Sequence, residues 1–86
     1  MTKDVFIQEL EKLGFDFSFI CWEPSPARDG VYHIYKNYYR WEVYYQERGN
    51  EYEKMGFVNE SEALDYLFGK LMDLSKINVW PFAAKS

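Results

Sequence analysis

Cysteine, histidine and positive charge are all scarce in this chain. A single Cys, Cys21, leaves no internal disulfide to form, and a single His, His33, removes any multi-histidine metal site and most histidine-based catalysis. Ten Lys and Arg stand against fourteen Asp and Glu, for a net charge of -4 and a pI near 4.9. That balance argues against a binder of duplex nucleic acid, which concentrates positive charge on one face. Long apolar runs are missing too. The longest, from Phe15 to Trp22, is too short to span a bilayer and is broken by Asp16 and Ser18, so no membrane partner is expected. Met1-Thr2-Lys3-Asp4 leads straight into an amphipathic pattern, so no secretory signal is expected. Cys21, unpaired within an apolar stretch, reads as a buried thiol in a reducing compartment, and the expected location is the cytoplasm.

Aromatic residues are abundant instead: eight Tyr, seven Phe and three Trp make up 21% of the 86 residues. A chain of this length hides roughly 60–65% of its unfolded surface on folding. One domain over 1–86 is therefore expected, with no cofactor and with residues 83–86 frayed.

The apolar spacing supplies the elements. Phe6, Ile7, Leu10 and Leu13 mark a helix over residues 3–13, capped by Thr2 or Asp4 and closed at Gly14. Phe15, Phe17 and Phe19 alternate with Asp16 and Ser18, which predicts a first strand over 15–22. A loop follows over 23–30, with two Pro and a terminal Asp-Gly. Strands are then predicted at 31–36, 39–46 and 51–58, joined by turns at Asn37-Tyr38 and over 47–50. Asn59 and Glu62 form a capping-box pattern, and Leu64, Leu67, Phe68, Leu71 and Met72 place a second helix over about 60–74. Ile77, Val79, Trp80 and Phe82 should tuck against the body. The fold class is α+β: an N-terminal helix, a four-stranded antiparallel meander and a C-terminal helix, with both helices on one face of the sheet. The other face is left to water or to a partner.

Catalytic and metal readings find little to stand on. His33 sits between Tyr32 and Ile34 as an ordinary strand residue, and no nucleophile elbow accompanies any of the five Ser. Glu47, Glu51 and Glu53 flank a turn without a calcium-loop pattern, and there is no Cys/His set for zinc. Base stacking by Tyr32, Tyr44 and Phe57, with Arg40 and Lys36 nearby, is opposed by Glu42 and Glu53. Carboxylates beside Tyr and Trp fit better with a surface that captures a basic protein, where rings give rigid contact area and charge gives steering.

Two segments carry a family likeness. Trp41, Val43 and Glu47-Arg48-Gly49, then Phe57, Asn59-Glu60, Glu62-Ala63 and Tyr66-Leu67, resemble small immunity proteins of bacterial polymorphic-toxin and contact-dependent inhibition systems. The resemblance spans about residues 31–72. It implies a cytoplasmic, non-enzymatic inhibitor that binds a cognate toxin domain, often a nuclease with a basic cleft, and blocks its active site. Strand alternation, independently, places the contact surface on the open sheet face and adjoining turn: Glu42, Tyr44, Glu47, Arg48, Glu51 and Glu53, with Tyr32 and Arg40 at its edge. The carboxylates would stand in for substrate phosphates, and Tyr44 and Tyr32 would be buried anchors. The alternative is a protein-interaction or structural module without a toxin partner, including a homodimer formed through an open sheet edge.

Overall fold

A computed structural model of the chain describes residues 1–24 and 29–76, the last two by backbone alone. The expected packing of Ile77 to Phe82 and the fraying of 83–86 lie outside the described residues. Helix α1 spans Lys3–Lys12. The sheet contains β1 (Ile20–Cys21), β2 (Val31–Asn37), β3 (Arg40–Glu47) and β4 (Asn50–Phe57), in that spatial order, and α2 spans Glu60–Lys76. Among the described residues no helix is long and apolar enough to cross a membrane.

Local chemistry accounts for the ends of the helices. The Thr2 hydroxyl accepts from the Val5 N–H at 3.2 Å, and Gly14 takes a φ of 76° just past the end of α1. Asn59 Oδ1 accepts from the Glu62 N–H at 2.9 Å and starts α2. The apolar stripe of α2, Leu64, Leu67 and Leu71, is fully buried with Ala63 over Ile34 of β2 and Val43 of β3. Helix α1 leans chiefly on α2, with the Phe6 ring set edge-on to Phe68 at 6.2 Å and to Trp22 at 5.9 Å.

The fold is α+β as expected, but the sheet is mixed and not the antiparallel meander predicted. β2–β3 and β3–β4 are antiparallel, whereas β1 runs parallel to β2, with Ile20 opposite Tyr32 and Cys21 opposite His33. The predicted strand over 15–22 shrinks to two residues. Asp16 is the cause: its side chain accepts from the Ser18 N–H at 3.0 Å and its carbonyl accepts from Phe19 N at 3.1 Å, winding Phe17–Phe19 into a 3-10 turn. A short polar side chain that bonds its own backbone competes with strand pairing. Parallel pairing normally needs a long crossover. A two-residue β1 spans only about 6.6 Å, so the short connection to β2 can return to its start.

The hairpin turns fall one residue later than predicted at the first and on the expected segment at the second. Asn37 stays in β2, where its amide donates to Glu42 Oε2 at 3.1 Å, and Tyr38-Tyr39 forms the two-residue loop. Tyr38 has a φ of 60°, a value that a side chain other than Gly, Asn or Asp adopts at a cost. Arg48 and Gly49, at φ 53° and 78°, make the type I′ turn of β3–β4.

Two substitutions test these local terms in urea unfolding. Asn59→Ala should lower stability by about 1 kcal/mol at unchanged m-value. Tyr38→Asn should raise it by about 0.5–1 kcal/mol, because Asn takes the left-handed conformation more cheaply and the Tyr38 ring is 86% exposed, with little packing to lose.

Candidate functional site

The pairing register sorts the candidate residues onto two sides of the sheet. Tyr32, Ile34, Val43 and Tyr45 point toward α2, and His33, Tyr35, Glu42, Tyr44 and Gln46 point away. Tyr32 was expected at the edge of the open face but lies on the helix side, opposite Tyr45 with ring centroids 5.0 Å apart.

The far side is not the open surface predicted for it. His33 is fully buried, and Tyr44 and Gln46 are each 4% exposed, with Cys21 and Val31 buried beside them. The His33 and Tyr44 rings stack at 4.9 Å, and the Tyr44 hydroxyl meets that of Tyr35 at 3.2 Å. His33 Nδ1 donates to the Glu23 carbonyl at 3.3 Å, the same oxygen that accepts from the Cys21 thiol at 3.1 Å. A carbonyl only accepts, so Nδ1 carries a hydrogen, and Nε2 has no hydrogen-bond partner among the described residues. Tyr44 is thus a packing residue within the chain rather than an anchor offered to a partner.

Glu42 is similarly committed. Lys54 Nζ lies 3.1 Å from Glu42 Oε1 and 3.1 Å from Glu51 Oε1, and sits 5.2 Å above the Tyr44 ring. Burial pushes the Glu42 carboxyl up, but hydrogen bonds from Lys54 and Asn37 and the charges of Lys54 and Arg40 outweigh it and hold the group below its ordinary value. The Arg40 side chain crosses Gly56, where a Cβ would stand 2.1 Å from its guanidinium.

A bulge in β4 moves Glu53 to the opposite side. Val43 pairs with Met55 but Tyr45 pairs with Tyr52, so Glu53 and Lys54 together oppose Tyr44. Lys54 takes the far-side place, and Glu53, at φ 54°, turns toward α2 and pairs with Lys70. The prediction that Glu53 shares a face with Glu42 and Glu51 fails for this reason. Glu47 also belongs to the helix side, accepting from the Tyr45 hydroxyl at 3.1 Å, while Arg48 is exposed in the turn.

Between α2 and the sheet lies a small notch that opens to solvent. Tyr32 and Tyr45 form its floor with Val43 and the edge of Tyr44. Tyr66 and Lys70 come from α2, and Glu53 closes the β4 side. Burial and the Glu53 charge raise the Tyr32 phenol above its ordinary value, and burial with the Glu47 hydrogen bond does the same for Tyr45. The Glu53 carboxylate raises Lys70. Sequence reasoning missed Tyr45, Tyr66 and Lys70 here. Tyr66 and Lys70 are four residues apart, on one flank of the leucine stripe, which was a usable signal. Among the described residues no group of three or more His, Cys, Asp or Glu could hold a metal ion.

Comparison with protein-family models, curated proteins and solved structures finds no match to this chain.

The ionisation shifts predict how stability depends on pH. Glu42 is depressed in the folded state, so its contribution is complete above the ordinary carboxylate range and is lost as pH falls through the folded value. Tyr44, Tyr45 and Tyr32 are raised, as is Lys54, so their contributions are complete below about pH 10 and are lost as pH rises through the folded values. Glu42→Gln should therefore flatten the acid limb below the ordinary carboxylate range and leave the alkaline limb in place. Chemical unfolding across pH reads both limbs, and an unchanged acid limb would remove Glu42 from the account.

Proposed function

We propose that the chain is a non-enzymatic toxin-neutralising protein that binds a basic toxin domain, of the nuclease kind, and blocks its active site. The observation carrying this reading is how the charges are spent. Lys54 is held by Glu42 and Glu51, Lys70 by Glu53 and Lys12 by Glu9. Asp4, Glu11, Glu47 and Glu62 are exposed with no ion-pair partner among the described residues. These pairs take four carboxylates for three lysines, so the acidic surplus is that of the whole chain, -4, and it is joined by exposed rings, Tyr38 at 86%, Tyr39 at 90% and Tyr52 at 48%. Such a surface steers a basic partner by charge and grips it through rigid aromatic area. The immunity-protein likeness over 31–72 points the same way.

Glu42 and Tyr44 support the contact surface from within, and the groups able to reach a partner are Glu47, Arg48, Glu51, Glu53 and the hairpin rings. A homodimer is the second reading, favoured by β4, which is the sheet edge and is exposed along Asn50–Met55. The bulge at Glu53 counts against it, because a kinked edge pairs poorly.

The test is co-purification from the native host followed by an activity assay. The expected result is one basic toxin domain at equal stoichiometry, whose activity is lost when the chain is added. Affinity should weaken by about tenfold or more from low to physiological salt. A partner whose activity survives saturation would refute inhibition. A salt-insensitive dimer of the chain alone, seen by light scattering, would favour the homodimer.

A further inference from the structure

Three described residues other than Gly have positive φ: Tyr38, Arg48 and Glu53. The first two sit in two-residue hairpin loops, whose geometry demands it. Glu53 lies inside a strand, where the demand comes from the bulge alone. Bulges re-aim side chains, and strained backbone persists where the surroundings over-determine it. Here the bulge delivers a carboxylate to the rim of a cleft walled by three tyrosines.

The cleft already holds one cation. Lys70 pairs with Glu53 and sits 5.5 Å from the centroid of the Tyr66 ring. Glu47 is bound to the Tyr45 hydroxyl beside it, and Asp29, which accepts from Gly49 N at 3.1 Å, lies close enough to act on Tyr45 through its charge. Glu53 lines the notch and Glu47 accepts from the Tyr45 hydroxyl beside it, two carboxylates against one resident lysine that is still 30% exposed. A local surplus of negative charge and ring faces on a solvent-open notch together suit a planar cation.

We propose that this notch is a receptor for an arginine side chain of the protein partner, its guanidinium stacked on Tyr32 or Tyr45 and paired with Glu53. Lys70 is the internal placeholder that the arginine displaces. The site rests on the proposed capture of a basic protein and supplies that capture with a specific anchor. Arginine fits better than lysine because its flat guanidinium can stack on a ring and fork to a carboxylate together.

The test needs no toxin. N-acetyl-arginine methylamide is titrated into the whole chain while the tyrosine ring resonances are followed by NMR. Tyr32, Tyr45 and Tyr66 should shift along saturable curves, with a dissociation constant in about the millimolar range for one side chain. Tyr35, on the far side, should stay still. Glu53→Gln should weaken binding by about tenfold. Glu53→Gly, which suits the left-handed backbone and so preserves the bulge, should do the same. Lys70→Met should tighten it severalfold by removing the competitor, an effect that loss of structure would not produce. Equal binding of N-acetyl-lysine methylamide would overturn the stacked arginine geometry. Shifts that fail to saturate, or that survive both Glu53 substitutions, would overturn the site. Either failure leaves toxin inhibition to its own assay, and a failed inhibition assay leaves this titration intact.

Discussion

Everything in this molecule hangs on the contact of Ile34 and Val43 with the leucine stripe of α2. These two residues face each other at the middle of the sheet, and Leu64, Leu67 and Leu71 close over them without exposure. Burying one such side chain contributes about 1.5–3 kcal/mol, and a chain this small has room for one such cluster. α1 reaches the cluster through Phe6 and Leu10, and Ile20 adds β1 at its margin. The position of α2 over β3 then fixes where a cleft can remain: on the flank facing β4, where side chains are largely exposed.

The far side of the sheet obeys a different constraint. Its buried groups are mostly polar or aromatic, and most of them are partnered. His33 and Cys21 share one carbonyl, Tyr44 answers Tyr35, and Lys54 serves Glu42 and Glu51 at once. This interlocked layer holds β2, β3 and β4 in register from below while the leucines hold β2 and β3 from above. The acidic character predicted for that face is real in composition but is neutralised in place.

Much of the fold was legible in the sequence because its signals were periodic. The stripes of both helices, the Asn59 cap and three of the strands follow from spacing, since a buried stripe leaves a repeating mark. β1 was misread because Phe15, Phe17 and Phe19 alternate as a strand would, while Asp16 quietly binds the Ser18 N–H. The candidate surface was less legible. Strand parity assigned Glu42, Tyr44 and Glu51 to the correct side, but parity carries no information on burial, so Tyr44 was taken for a partner-contacting residue on an open face. Glu53 was lost for a sharper reason. A bulge inserts one residue into the count and inverts every parity argument that crosses it, and no residue type in Tyr52-Glu53-Lys54 announces it.

The bulge is held from both sides by lysines on different elements. Lys54 is drawn down to Glu42 and Glu51, and Lys70 reaches from α2 to Glu53. Neither link passes through the Ile34–Val43 cluster. The two differ in consequence. Lys54 closes over a stacked ring and a nearly buried carboxylate, so releasing it would unsettle the polar layer. Lys70 and Glu53 meet in a cleft open to water, where an ion pair contributes little to stability and exchange of one cation for another disturbs no packed surface. A fold whose core is indifferent to that pair can afford to lend it to a partner.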